Sequence, residues 1–377
     1  MKLFATRAPR TAAACLTLAA SALGPAMLAA PASAAAHPAA LNGLACRSIA
    51  RCVAVGGNAP SVPSQLASDR WDGSRWSRTG MPTPRGAVSV SVGESGVSCP
   101  ASGACVAVGG AFTRSGGEFA IAGVYRGARW TSGRALDPGA SSSLLSVACV
   151  SAASCFAVGQ YGAGARSLPL VEHWDGSRWT RLAAPAPPGT DEWLDSVSCA
   201  SRSLCVAVGR NAVRDADGTE FAERWNGRAW SEVPVPGGHG VTLYSVSCAA
   251  SACFAVGGAD NGAGPAAYRL SGSRWRATPA ASARGGWLQS VSCPLATRCL
   301  AVGDDDNGSV FADAWTGRSW APVPVRQSGG VVRYFAQVDC VAWARCAALG
   351  SVSMSDAGWR SESAFWNGSS WKVVPTA

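Results

Sequence analysis

Three regularities predict an all-β chain folded as a seven-bladed β-propeller, with four antiparallel strands and one disulfide in each blade. Cysteines come in seven close pairs, and an aromatic-x-Gly-x-x-Trp element also occurs seven times. The two alternate at a period of 45–53 residues, a length that short-strand repeats use for one blade.

The cysteine pairs are Cys46/Cys52, Cys99/Cys105, Cys149/Cys155, Cys199/Cys205, Cys248/Cys253, Cys293/Cys299 and Cys340/Cys346. Six pairs enclose five residues and the fifth encloses four. Such a segment spans a tight turn between antiparallel strands, whose opposed Cα atoms lie about 5.5 Å apart, within disulfide reach. Metal or redox chemistry is a poor fit for seven equivalent, widely separated pairs.

Four strands fit each period. The first is typified by Leu194-Asp-Ser-Val-Ser-Cys199. The second is the run that opens on the second cysteine, CVAVG at Cys52, Cys105 and Cys205 and a close variant elsewhere. The third ends at the first aromatic residue of the hairpin element, as in Phe221-Ala-Glu-Arg-Trp225, and the fourth begins at its tryptophan, as at Trp230. β-Branched and aromatic residues alternate in these runs, and Gly, Pro, Asn and Asp separate them. The element itself reads Trp71/Trp76, Tyr125/Trp130, Trp174/Trp179, Trp225/Trp230, Leu270/Trp275, Trp315/Trp320 and Trp366/Trp371, always with the middle glycine. Asp or Asn precedes that glycine in four copies, which suits a turn with positive φ. The repeats run over 41–82, 83–135, 136–185, 186–236, 237–280, 281–325 and 326–377, inside one domain of residues 35–377.

Residues 1–34 read as a secretory leader. Lys2, Arg7 and Arg10 precede an apolar run from Thr11 to Leu28, and Ala32-Ser33-Ala34 is an A-x-A cleavage site. Cys15 lies near the start of the apolar run, where a lipoprotein anchor would need it at the end. Cleavage near Ala34 leaves 14 of the 15 cysteines, all paired, in a secreted extracellular protein without a membrane span. The formal net charge of the whole chain is +9, and its cations are scattered arginines with no long basic run. That pattern is not a nucleic-acid footprint.

Apolar run and glycine, then an aromatic residue, then tryptophan after a short turn, resembles the kelch repeat of seven-bladed propellers. The kelch double glycine survives as Gly56-Gly57, Gly109-Gly110 and Gly257-Gly258; Gln160, Arg210, Asp304 and Ser351 replace its second member elsewhere. The paired cysteines are not a kelch feature. The segment Val171-Glu-His-Trp-Asp-Gly-Ser-Arg-Trp179 is also similar to a hairpin of secreted seven-bladed fucose-type lectins. The turn is like the sialidase Asp-box as well, one residue short between Asp and Gly. These likenesses imply fold more strongly than activity.

Turn lengths differ between the two ends of the blades. Turns 1–2 and 3–4 are nearly constant, whereas the 2–3 and 4–1 connections vary, and length variation marks the end free to carry binding residues. Trp193, Trp287 and Tyr334 each stand six residues before a first cysteine on that variable end, with Asp191, Glu192, Arg284 and Arg333 beside them. Aromatic rings among hydrogen-bonding groups suit sugars or peptides. The run Asp304-Asp305-Asp306-Asn307-Gly308, echoed by Asp215 and Asp217, lacks calcium-loop spacing and reads as a solvated loop. Asp69, Glu172, Glu223 and Asp313, each two residues before a first tryptophan, are spread around the ring and read as structural.

Only three histidines occur, His37, His173 and His239, too few for the ligand set of a copper-radical oxidase of the galactose-oxidase type. No G-x-S-x-G, H-E-x-x-H or P-loop motif is present. The expectation is a non-catalytic monomer with no cofactor, whose partner is an extracellular glycan; a protein-interaction scaffold and a sialidase-like glycosidase are the alternatives.

Overall fold

The computed structural model describes residues 40–377, apart from 58–65, 101–103, 136–140, 187–188, 214–218, 238–239, 260–263, 282–284, 306, 329–331 and 355–357. The leader and Arg284, His37, His239, Asp215, Asp217 and Asp306 lie outside the described residues.

The described chain is all strand and turn, arranged as a seven-bladed propeller of four-stranded antiparallel blades. The innermost strands are Ala40–Ser48, Ser89–Ser98, Ser142–Ser151, Thr190–Ser201, Val241–Ala249, Trp287–Leu295 and Tyr334–Ala342. Within each blade the strands are hydrogen-bonded in chain order, so turns 1–2 and 3–4 share one end. One parallel pairing, Ser95 with Ser146, joins blades 2 and 3. A two-residue strand, Gln327–Ser328, runs parallel to the last strand, Trp371–Pro375, and widens blade 7 to five strands. Strand Ala40–Ser48 lies in the first blade and Trp371–Pro375 in the last, so among the described residues no strand is exchanged where the ring closes.

All seven expected disulfides are formed: Cys46–Cys52, Cys99–Cys105, Cys149–Cys155, Cys199–Cys205, Cys248–Cys253, Cys293–Cys299 and Cys340–Cys346. One distance differs from the sequence reading: the Cα separations, 3.9–4.1 Å, are tighter than the ladder spacing expected. In five of the bridges the cysteines are direct register partners, as Cys46 is of Cys52. The two cysteines of a pair are also not equivalent turn residues. Cys52, Cys105, Cys155, Cys205, Cys253, Cys299 and Cys346 are each at most 1% exposed, so none of them is a contact residue for a ligand. In contrast, Cys46, Cys99, Cys149, Cys199 and Cys248 are half-buried.

The cause is strand position. The second cysteine opens strand two, which has a paired strand on each side, whereas the first sits on the innermost edge strand. Across strand three, Cys155 faces Trp174, Cys253 faces Leu270, Cys299 faces Trp315 and Cys346 faces Trp366. The first member of the hairpin element therefore stands over the sulfur bridge in every one of these blades.

The constant turn lengths have a mechanical cause: the 3–4 hairpin is docked on the 1–2 hairpin of the same blade. The indole Nε1 of Trp71 donates to Ile49 O at 3.1 Å, that of Trp174 to Ala152 O at 3.2 Å and that of Trp225 to Arg202 O at 3.0 Å. The middle glycine, with φ near +100° at Gly73 and Gly176, turns the chain in a conformation that disfavours side chains. Asp72 Oδ1 accepts from the Ser74 and Arg75 backbone N–H groups, and Asp175 does the same for Ser177 and Arg178. The Ser74 hydroxyl, which donates to the same oxygen at 2.7 Å, and then those backbone bonds hold the Asp72 carboxyl down at about 2, and the Ser177 hydroxyl with its backbone neighbours depresses Asp175 in the same way.

The core lies between blades. Each cluster joins the outward face of one blade to its neighbour, as where Phe156 of blade 3 meets Trp225 and Trp230 of blade 4, with centroids at 5.3 and 5.8 Å. Across the closure, Trp71 stacks on Phe365 at 4.7 Å and Trp76 Nε1 donates to Ser363 Oγ at 2.8 Å.

Candidate functional site

The seven innermost strands surround a central channel with a cavity of about 250 Å³. Its wall is built from residues just before each first cysteine, which read Ser-Val-Ser in blades 4, 5 and 6. An innermost strand is an edge, and apart from the Ser95–Ser146 bridge its outer backbone N–H groups have no strand to pair with. Serines of the preceding blade fill that need. Ser196 Oγ accepts from Val246 N at 3.2 Å and Ser198 Oγ from Cys248 N at 2.9 Å. The same pair of bonds recurs from Ser245 and Ser247 to Val291 and Cys293, and from Ser290 and Ser292 to Val338 and Cys340. Ser98 and Ser146 each supply one such bond, to Cys149 N and Val197 N.

At the closure the serines are replaced by longer acceptors. Gln337 Oε1 accepts from Leu44 N, and Asp339 Oδ2 accepts from Cys46 N at 2.6 Å. Burial raises the Asp339 carboxyl to about 6, against the opposing pull of its hydrogen bonds from Cys46, Ser292 and Cys340.

The candidate binding residues stand at the opposite end of the same strands and do not line this cavity. Trp193, Trp287 and Tyr334 are half-buried, and their register partners are Arg210, Asp304 and Ser351. These are three of the four positions where the second glycine of the repeat is replaced. The Arg210 guanidinium lies 5.5 Å from the Trp193 ring centroid. Trp287 leans across blade 5: a Cβ at Gly258 would sit 2.2 Å from its Cδ1. Arg333 is exposed. Asp191 and Glu192 have structural ties, since Asp191 Oδ1 accepts from Ser167 N of blade 3 at 2.8 Å and Glu192, fully buried, accepts from Thr190 Oγ1 at 2.9 Å.

A bulge that the sequence does not announce interrupts the inner ladder four residues before the first cysteine, for example between Leu194 and Ser196. Bulges re-aim side chains, and this one carries Asp195, Gln289 and Asn42 at equivalent positions. Gln289 Nε2 donates to Asp304 Oδ1 at 3.5 Å. Asp195 Oδ2 is buried without a hydrogen-bond partner; burial raises this carboxyl to about 6, and the nearby Arg210 charge opposes the rise. Only the change of pairing register exposes these residues, and no composition signal marks them.

The strand-three acids are buried between blades. Asp69 pairs with Arg78 Nε at 2.6 Å, and Asp313 Oδ2 accepts from Ala281 N at 2.8 Å. Burial raises Glu223 to about 9, helped by the carboxyls of Glu192 and Glu232. In the acidic 2–3 turn, Asp305 Oδ1 is occupied by the Asn307 and Ser309 N–H groups. Among the described residues, no group of three or more His, Cys, Asp or Glu is arranged to hold a metal ion, and no helix is long and apolar enough to cross a membrane.

No protein-family model matches the chain, and no curated protein matches it in sequence. Solved structures do match in fold. A GH74 xyloglucanase from Xanthomonas campestris is similar over 90% of this chain, with TM-score 0.60 and 12% identity. The match takes in 55% of that chain, so the protein spans about half the length of the enzyme. YCF48 bound to D1 peptide is similar over 84% of this chain and 91% of its own, with TM-score 0.53 and 13% identity. A Trypanosoma rangeli sialidase is similar over 86% of this chain and 54% of its own, with TM-score 0.51 and 12% identity. Identities this low establish the propeller fold alone.

Proposed function

We propose that this chain is a secreted, monomeric, non-catalytic binding protein with a kelch-like repeat, released after leader cleavage near Ala34. It recognises carbohydrate on the variable-loop end of the propeller. The observation that carries this is the pairing on blades 4, 6 and 7: each aromatic residue six positions before its cysteine faces a polar residue where blades 1, 2 and 5 keep glycine. Trp193 with Arg210, Trp287 with Asp304 and Tyr334 with Ser351 combine a ring face for stacking with a hydrogen-bonding group beside it. Arg333 extends the polar fringe, Arg284 is assigned to it by sequence position, and Asp191 and Glu192 brace its base. Fold-level likeness to a xyloglucanase and a sialidase is consistent with saccharide binding.

The test is a glycan array read beside intrinsic tryptophan fluorescence, with wild type, Trp193→Ala and Trp287→Ala. Binding by wild type that each variant weakens supports the proposal; no binding, or binding unchanged in both variants, overturns it. Turnover of chromogenic glycosides would assign a glycosidase instead.

A protein-binding role has one observation in its favour. Val88 and Phe112 are both exposed on the variable end of blade 2 and adjacent, with Val88 N donating to Phe112 O at 2.8 Å. Loss of a captured protein partner on Phe112→Ser, with glycan arrays blank, would select that role.

A further inference from the structure

The arginines that look scattered along the chain are gathered in space. The hairpins of the constant-turn end hold Arg47, Arg51, Arg202, Arg298 and Arg345 in turns 1–2, and Arg75, Arg126, Arg129, Arg178, Arg228, Arg274 and Arg318 in turns 3–4. All of them are exposed except Arg298, which is half-buried. Only two acids, Asp72 and Asp175, occur in the same hairpins, and both are occupied as turn caps. The chain holds 23 acidic residues in all, so this end is far more basic than the +9 of the whole chain suggests. The repeat explains why sequence hides the patch: each hairpin delivers one or two cations, spaced by a whole blade.

Neighbouring hairpins meet at this end. Arg126 of blade 2 donates to Gly176 O in the hairpin of blade 3 at 3.1 Å. Arg298 of blade 6 lies 5.5 Å from the ring centroid of Trp343 in blade 7. Trp343 and Leu295 are two of the four exposed large hydrophobic residues among those described, so an aromatic face is open beside the basic field.

We propose that the constant-turn end is a second binding surface, which takes an acidic polysaccharide. Guanidinium groups match carboxylate and sulfate oxygens in two-pronged geometry, and a ring of them suits a polymer with regularly repeated charge. The open indole of Trp343 offers the stacking face that a pyranose ring uses and a simple anion does not need. Seven disulfides place the protein among chains of oxidising compartments, where acidic glycans are met more readily than nucleic acid. This surface is independent of the variable-end site, and each can fail without the other.

The experiment measures binding of full-length mature protein to polygalacturonate, heparin and duplex DNA at about 50 and about 500 mM salt. Arg228→Glu/Arg274→Glu reverses two exposed hairpin charges. Arg85→Glu/Arg114→Glu makes the same net change at the variable end, and exposed positions leave the fold unburdened in both. The expected result is binding of an acidic glycan that weakens with salt, falls about tenfold or more in the hairpin variant and stays within about twofold in the control. Trp343→Ala should weaken glycan binding further at high salt, where charge is screened. Absence of glycan binding, equal loss in both double variants, or tighter binding of DNA than of either glycan overturns the proposal.

Discussion

Trp193 and Arg210 face each other across the first two strands of blade 4, with the guanidinium 5.5 Å from the ring centroid. The cation fixes one side of the indole and leaves a polar group at its edge. Arg210→Ala should therefore weaken saccharide binding by about five- to thirtyfold, in line with a cation–π and hydrogen-bond loss of about 1–2 kcal/mol. Arg210 is exposed, so the melting temperature should stay put. Titration followed by tryptophan emission, with calorimetric melting as control, decides this.

Gly258 makes room for Trp287. A methyl group there would collide with the indole edge, and the ring would have to swing aside. Gly258→Ala should change the emission spectrum and lower saccharide affinity more than it lowers stability. An unchanged spectrum and affinity would separate Trp287 from the site.

Asp339 makes the closure sensitive to pH. Its folded value, about 6, is above the ordinary 3.8, so the folded state holds a proton that the unfolded chain has lost between those values. Stability should be fully retained below about pH 4 and decline by roughly 3 kcal/mol as pH rises through 6. Asp339→Asn keeps an oxygen acceptor for Cys46 N and removes the titration. It should raise the melting temperature at pH about 7.5 and leave it nearly unchanged at pH about 4.

Glu223 extends the same behaviour to higher pH. Held at about 9 by burial and by two neighbouring carboxyls, it should oppose folding by roughly 3 kcal/mol at neutral pH, since the unfolded chain ionises near 4.5. Glu223→Gln should flatten the decline of stability between about pH 5 and 9, seen in urea midpoints across that range.

Each disulfide closes a very short loop, so removing one should cost about 2 kcal/mol in the chain-entropy model. Cys199→Ser/Cys205→Ser in mid-ring and Cys46→Ser/Cys52→Ser at the closure should lower the urea midpoint by similar amounts. A much larger effect of the second pair would show that the bridge also braces the contact with Asp339.

The blades were legible because the pattern that makes them is local. Cysteine spacing, alternating strands and a glycine turn are each written within a few residues and copied seven times, so every copy reinforces the rest. What escaped depends on neighbours in space. Spacing paired Cys149 with Cys155, but only the strand order shows that Cys155 is sealed in the blade while Cys149 stays half-buried at its inner edge. Ser196 reads as an ordinary polar strand residue until Val246 N is seen beside it, 50 residues on. Asp195 gains its buried, unpartnered oxygen from a one-residue bulge whose cause is ladder geometry. Trp193, Trp287 and Tyr334 were found by offset from cysteine, but their polar partners emerge only with register. Arg228, Arg274 and Arg318 looked isolated because sequence distance between blades conceals adjacency.

The closing contacts bear on how such a ring gains or loses copies. Between blades 4 and 7 the serine bonds are interchangeable, so a unit deleted there would bring together halves that already match. Gln337 and Asp339 are different: they occur once and reach the strand of Leu44 and Cys46. A duplication that moved blade 7 inward would set Gln337 and Asp339 against a strand that elsewhere meets serines, and leave serines to span the closure. Two side chains thus set the closing contact apart from the repeated ones.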